Sequence, residues 1–159
     1  MEENYIQLKK DDILRFGIRT ADGKDTGNYL EFDLQDVELP LRINEADILH
    51  KKNMQDLKMK LAILDKKQDK KGKYILSWKE EEKIKIVKEF YDKEMKALDL
   101  FLGENGTKKL LNGRNPYLTM YDDIAEYIEP IMPKLKANSD DIVNSIRKKY
   151  KTEQSDVIE

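Results

Sequence analysis

The chain predicts an α+β fold: a small N-terminal antiparallel sheet of about three strands, packed on a long antiparallel helical hairpin and followed by shorter C-terminal helices. Three observations predict it. Up to about residue 38 apolar and polar residues alternate, the period of a half-buried strand. From about residue 44 to 103 apolar residues recur every three to five positions, the period of an amphipathic helix. Beyond Gly103, glycine and proline cut the remainder into short pieces.

Taken in order, Tyr5, Ile6 and Leu8 form a first short apolar segment. Leu14, Phe16 and Ile18 alternate with Arg15, Gly17 and Arg19, and Leu30, Phe32 and Leu34 alternate with Glu31, Asp33 and Gln35. The turn formers from Ala21 to Gly27 separate the last two segments. A meander over 1–38 follows, one that needs a helix packed on it. Pro40 disfavours helix at Leu39, so Asn44 is expected to cap the first long helix. Leu49, Met54, Leu57, Leu61 and Leu64 mark its apolar stripe over about Glu45 to Lys67, and Gly72 in the polar run that follows is a stop signal. Ser77-Trp78-Lys79-Glu80 has the form of a capping box. It opens a second helix along Ile84, Val87, Tyr91, Met95, Leu98 and Leu102, ended by Gly103 and Gly106. The two helices, 44–103, should close on each other. Short helices fill 107–150, broken or kinked at Pro130 and Pro133 and restarted by a cap at Asn138-Ser139-Asp140-Asp141. Residues 1–150 read as one domain and 151–159 as a frayed, flexible tail.

The formal net charge of −2 hides an asymmetry. Residues 1–49 carry 6 Lys/Arg against 12 Asp/Glu, residues 50–96 carry 15 against 9, and residues 97–159 carry 9 against 11. The basic middle could suggest nucleic acid, but its lysines alternate with acids at helical spacing, the pattern of an exposed helix laced with ion pairs. No apolar run reaches the roughly 20 residues of a spanning helix, and the N-terminus has no secretory pattern. The expectation is a protein with no membrane partner.

Candidates for chemistry are few. There is no cysteine and His50 is the sole histidine, so a nitrogen and sulfur zinc site cannot be assembled within one chain. His50 stands beside Lys51 and Lys52 with no identifiable partner group, and reads as a surface or helix-packing residue. Asp122-Asp123 and Asp140-Asp141 precede apolar residues, as acids in a first helical turn do. The loop Ala21–Gly27 lacks the glutamate of a calcium loop, and Gly103–Lys109 lacks the ending of a phosphate loop. The expectation is a protein that is not an enzyme and uses no cofactor or metal. What remains is surface for partners. Tyr117, Leu118, Met120, Tyr121, Ile124, Tyr127, Ile131 and Met132 give one segment more apolar content than a single helix face requires. They are the candidate partner-binding residues, with packing on the hairpin and sheet as the competing role.

Two stretches, Leu30 to Arg42 (LEFDLQDVELPLR) and Ala97 to Arg114 (ALDLFLGENGTKKLLNGR), with Tyr121-Asp122-Asp123-Ile124 after them, resemble small tail assembly chaperones of siphophages that infect Gram-positive bacteria. The likeness covers roughly residues 30–135 and includes the order of sheet, long helices and short helices. It implies a non-catalytic protein of the host cytoplasm that binds the long, helical, aggregation-prone tape measure protein. It also implies help in recruiting tail tube subunits of the major tail protein, and self-association as a homo-oligomer around the client. The rival readings are a nucleic-acid-binding or host-defence-modulating phage protein and a structural connector subunit of the virion.

Overall fold

A computed structural model describes residues 3–8 and 12–158, and it is α+β: a two-stranded sheet followed by helices. Strands β1 (Ile13–Arg19) and β2 (Asp25–Asp33) pair antiparallel, with Leu14 opposite Phe32 and Phe16 opposite Leu30. The alternation works as expected. Ile18, Leu30, Phe32 and the following Leu34 are buried, while Arg15 and Glu31 pair on the outer face beside Tyr29. Phe16 and Phe32 meet edge to face at 6.0 Å between centroids.

The expected third strand is corrected. Among the described residues the sheet has two strands, and Tyr5, Ile6 and Leu8 form no strand and lie exposed. The small sheet is covered by helices instead, which is what a two-stranded ribbon requires.

Helix α1 runs Leu39–Asp65 and helix α2 Trp78–Leu102. Helix α1 starts five residues before Asn44, which lies inside it. Pro40 falls in its first turn, where a missing N–H costs no helical bond. It ends at Asp65, within two residues of the expected end near Lys67 and well before Gly72. The Ser77 cap is present: its Oγ accepts the Glu80 N–H at 3.2 Å, with Glu80 and Glu81 in the first turn. The two helices pack as a hairpin.

Helix α3 (Gly106–Leu111) follows a tight corner. The buried Thr107 donates both its N–H and its hydroxyl to Asp99 Oδ1 at 2.9 Å, and a Cβ on Gly106 would sit 2.6 Å from that of Leu102. Helix α4 (Met120–Ile128) has Asp122 and Asp123 in its first turn, as expected. A 3₁₀ turn over Glu129–Ile131 leads straight into α5 (Met132–Ile158). Pro130 and Pro133 thus occupy a turn and a helix start. Asp140 and Asp141 lie within α5, where Lys136 and Asp140 pair at 2.8 Å one turn apart. The expectation of short helices only is corrected here: α5 runs 27 residues, as long as α1, through the cap expected at Asn138–Asp141 and on to Ile158 across the segment expected as a tail.

The core sits at the base of the hairpin. There the sheet residues meet Leu39 of α1, Leu98 and Leu102 of α2, Met120 and Ile128 of α4, Ile131, and Leu135 of α5. Above Asn53 and Tyr91 the hairpin becomes an arm: hydrogen bonds, ion pairs and ring contacts of the described residues there stay within it. Buried Leu64 and Phe90 line its seam, and Lys60 and Lys93 bridge Asp56 and Glu89 across it.

Candidate functional site

A charged residue sits where the apolar seam of the hairpin meets α4. Glu94 follows Tyr91 by three positions and precedes Leu98 by four, so helical geometry points it at the core. Its side chain is 1% exposed and is fully bonded: Asn53 Nδ2 donates to Oε1 at 3.0 Å, and Tyr121 OH donates to Oε2 at 2.7 Å. His50 Nδ1 lies 2.7 Å from the same Oε2. Burial first, then the Glu94 hydrogen bond, push the Tyr121 phenol far above its ordinary pKa, so it remains a donor. The sequence left His50 without a partner; the fold supplies one from 44 residues away. A buried carboxylate is tolerated only when its lone pairs are met, and no described buried side-chain polar atom here lacks a partner.

This knot joins α1, α2 and α4, and an open groove of about 610 Å³ lies against it. Ile43 and Ala46 of α1, Ala97 and Phe101 of α2, and Met132 and Leu135 of α5 line the groove, with His50, Glu94 and Tyr121 forming its polar edge. Chemically the knot is a brace. Glu94 is occupied by three donors, and no serine, threonine or lysine hydrogen-bonds His50 among the described residues. Among those residues no group of three or more His, Asp or Glu is placed to hold a metal ion.

The eight candidate partner residues are brought to one segment but divided by burial. Met120 and Ile131 are interior, at 2% and 7% exposure, and belong to the core. Tyr117, Tyr121, Ile124 and Met132 are half-buried and pack against that core. Only Leu118, two residues before α4, and Tyr127, in its last turn, stand well exposed. The packing role therefore accounts for most of the segment.

A row of exposed apolar side chains lies elsewhere. Leu41, Ile48, Met59 and Ile63 of α1 are each more than half exposed. Their spacings of seven, eleven and four place them on one stripe. The buried Ala46 and Leu64, and His50 and Asn53 of the knot, occupy the opposite face. Helix α1 is thus apolar on two sides, one closed by α2 and one open. The sequence reading stopped at the Leu49–Leu64 stripe, although the second set was present at helical spacing in the same residues.

No family model matches the chain, and neither a curated protein nor a solved structure matches it.

Proposed function

We propose that the chain is a non-catalytic tail assembly chaperone that receives a helix of the tape measure protein along the outer stripe of α1. The observation that carries this reading is the stripe itself. From Leu41 to Ile63 it sets four exposed apolar side chains along about 33 Å of helix, at roughly 1.5 Å per residue, with the exposed Glu45, Lys52 and Gln55 between them. A long helical client with an apolar seam is the partner that such a surface fits, by side-to-side helix packing. The resemblance of the Leu30–Arg42 and Ala97–Arg114 stretches to siphophage chaperones supplies the identity of that client, with recruitment of the major tail protein as the following step. The charged flanks keep the loaded complex soluble.

Co-expression tests it. The chain is expected to raise the soluble yield of the tape measure protein and to co-purify with it, and Met59→Ala with Ile63→Ala is expected to abolish co-purification. Unchanged yield and no co-purification of the intact chain would sink the reading.

A second reading has its own observation. By helical spacing Glu45 and Lys52 lie on the line of the stripe itself, and Lys66 falls on the same line just past its last residue. Two copies laid antiparallel through the stripe would bring these opposite charges together. A concentration-dependent dimer mass, lost in the same double variant, distinguishes self-pairing from client binding.

A further inference from the structure

We propose that the far end of the helical hairpin is a peripheral docking tip for an anionic lipid surface. Between α1 and α2, residues 66–76 contain five lysines and one aspartate, a net charge of +4. Along the shaft five of the ten lysines (Lys51, Lys60, Lys83, Lys85 and Lys93) are ion-paired, whereas none of the five tip lysines is. The one acid among them, Asp69, is spent on the loop itself, accepting the backbone N–H groups of Lys70 and Lys79 at 2.7 and 2.9 Å. Beside this charge Tyr74 and Ile75 stand 92% and 80% exposed.

The loop has a built shape. Trp78 N–H donates to the Lys70 carbonyl at 2.9 Å, and Lys79 Nζ donates to the carbonyls of Asp65 and Lys67 at 3.0 and 2.8 Å. The Lys70 ammonium lies 5.1 Å from the Trp78 ring centroid. A Cβ on Gly72 would fall 1.7 Å from the Leu76 carbonyl oxygen, so only glycine permits this fold of the loop. Four side chains and three carbonyls thus fix a turn whose outside is aliphatic, aromatic and cationic. A loop needing only to reverse the chain has no use for exposed Tyr-Ile.

The chemistry favours lipid over the alternatives. The groove beside Glu94 and the two cavities against β1 and α4 and against Leu34 and α5 are lined by no residue of this loop, and a two-helix tip is convex. It is too narrow for the roughly 800 Å² per partner of a stable protein interface. Nucleic-acid binding would draw on arginine and stacking surfaces; the tip has no arginine, and Ile75 cannot stack on a base. A bilayer interface yields to a convex tip, accepts a tyrosine and an aliphatic side chain at headgroup depth, and attracts clustered lysines. Among the described residues no helix is long and apolar enough to cross a membrane. The sequence expectation of no membrane partner rested on that feature, which peripheral docking does not need. This inference stands apart from the client reading, since the tip and the α1 stripe share no residue.

Sedimentation of the full chain with vesicles tests it, comparing phosphatidylcholine alone with phosphatidylcholine holding about one third phosphatidylglycerol. Trp78, the only tryptophan, reports docking by a change in emission. Partitioning to the anionic vesicles alone is expected, weakening as salt rises. Replacing Lys66, Lys67, Lys71 and Lys73 by Gln should lower the partition coefficient by about five-fold per lysine, some 10²–10³-fold together. Tyr74→Ser with Ile75→Ser should lower it by about ten-fold or more. All are surface changes, and unchanged circular dichroism and melting verify that each variant folds. No partitioning of the intact chain, equal partitioning to neutral vesicles, or tip variants that bind as the parent does would each overturn the proposal. So would retention on duplex DNA or RNA, lost with the same lysines, in the absence of vesicle binding.

Discussion

Leu64 and Ile63 are neighbours on α1 and differ little in chemistry, yet one is 5% exposed and the other 53%. The contrast extends along the helix. The inner face carries Ala46, the knot residues His50 and Asn53, and Leu64; the outer face carries Leu41, Ile48, Met59 and Ile63. Both faces carry apolar residues at helical spacing, but among the described residues only the inner one has a partner. Hydrophobicity sets which surfaces seek burial, and it does not say who provides it. An inner-face residue is explained by the fold, whereas an exposed aliphatic row on a well-formed helix is explained by something outside it.

The largest effects should therefore come from the inner face. Glu94→Ala would leave His50, Asn53 and Tyr121 turned toward a buried hole with no acceptor. A loss of about 3 kcal/mol is expected in denaturant unfolding, from stranded donors plus the missing volume. Leu64→Ala, which opens a cavity in the arm, should cost about 2–3 kcal/mol. A Glu94→Ala protein as stable as the parent would mean that the knot is not the brace described above.

The arm is also held across its seam by exposed ion pairs, which should respond to acid. Asp56 is held below the ordinary carboxylate range by hydrogen bonds from Lys60 and Lys93, Glu89 by the same two lysines, and Asp65 by Lys83. In each case the folded pKa lies below the unfolded one. The unfolded chain therefore takes up protons first as pH falls, and stability present above about pH 5 is lost on descending through the folded values. Melting temperature should drop between pH 6 and pH 3, by a smaller margin in high salt. Asp56→Asn with Glu89→Gln should shrink the drop. A drop of the same size in that variant would place the acid sensitivity elsewhere, for instance at Asp36, which Arg42 holds low at the start of α1.

Much of the frame was legible because it depends on local rules. The period-two runs gave β1 and β2, the serine cap gave the start of α2, and Gly103 gave its end. The third strand failed because the short apolar segment Tyr5–Leu8 offered too few residues to compete for pairing. The start of α1 was misplaced because proline was read as a barrier, when in a first turn it is tolerated. The knot was hidden for another reason: His50 and Glu94 are 44 residues apart, and nothing local to either announces the other. Its trace was a glutamate standing in the apolar row between Tyr91 and Leu98, a position where a charge must find donors or not fold. The partner segment from Tyr117 to Met132 was over-read, since burial of Met120 and Ile131 uses the apolar excess that suggested a second surface.

The smallest expected effect on stability is the most informative about the outer face. Met59→Ala with Ile63→Ala removes two exposed side chains and replaces them with the residue that best suits a helix. Unfolding free energy should stay within about 0.5 kcal/mol of the parent, against the loss at adjacent Leu64. Binding should move the other way: anchors on an apolar seam typically contribute about 1–2 kcal/mol each, so affinity for a helical client should fall by roughly 30-fold or more in the pair. Stability and binding would then separate on one turn of one helix. If the double variant instead lost stability on the scale of Leu64→Ala, the outer row would be part of the fold, closed by a second copy of the chain. Client binding would have to be sought in the groove beside Glu94.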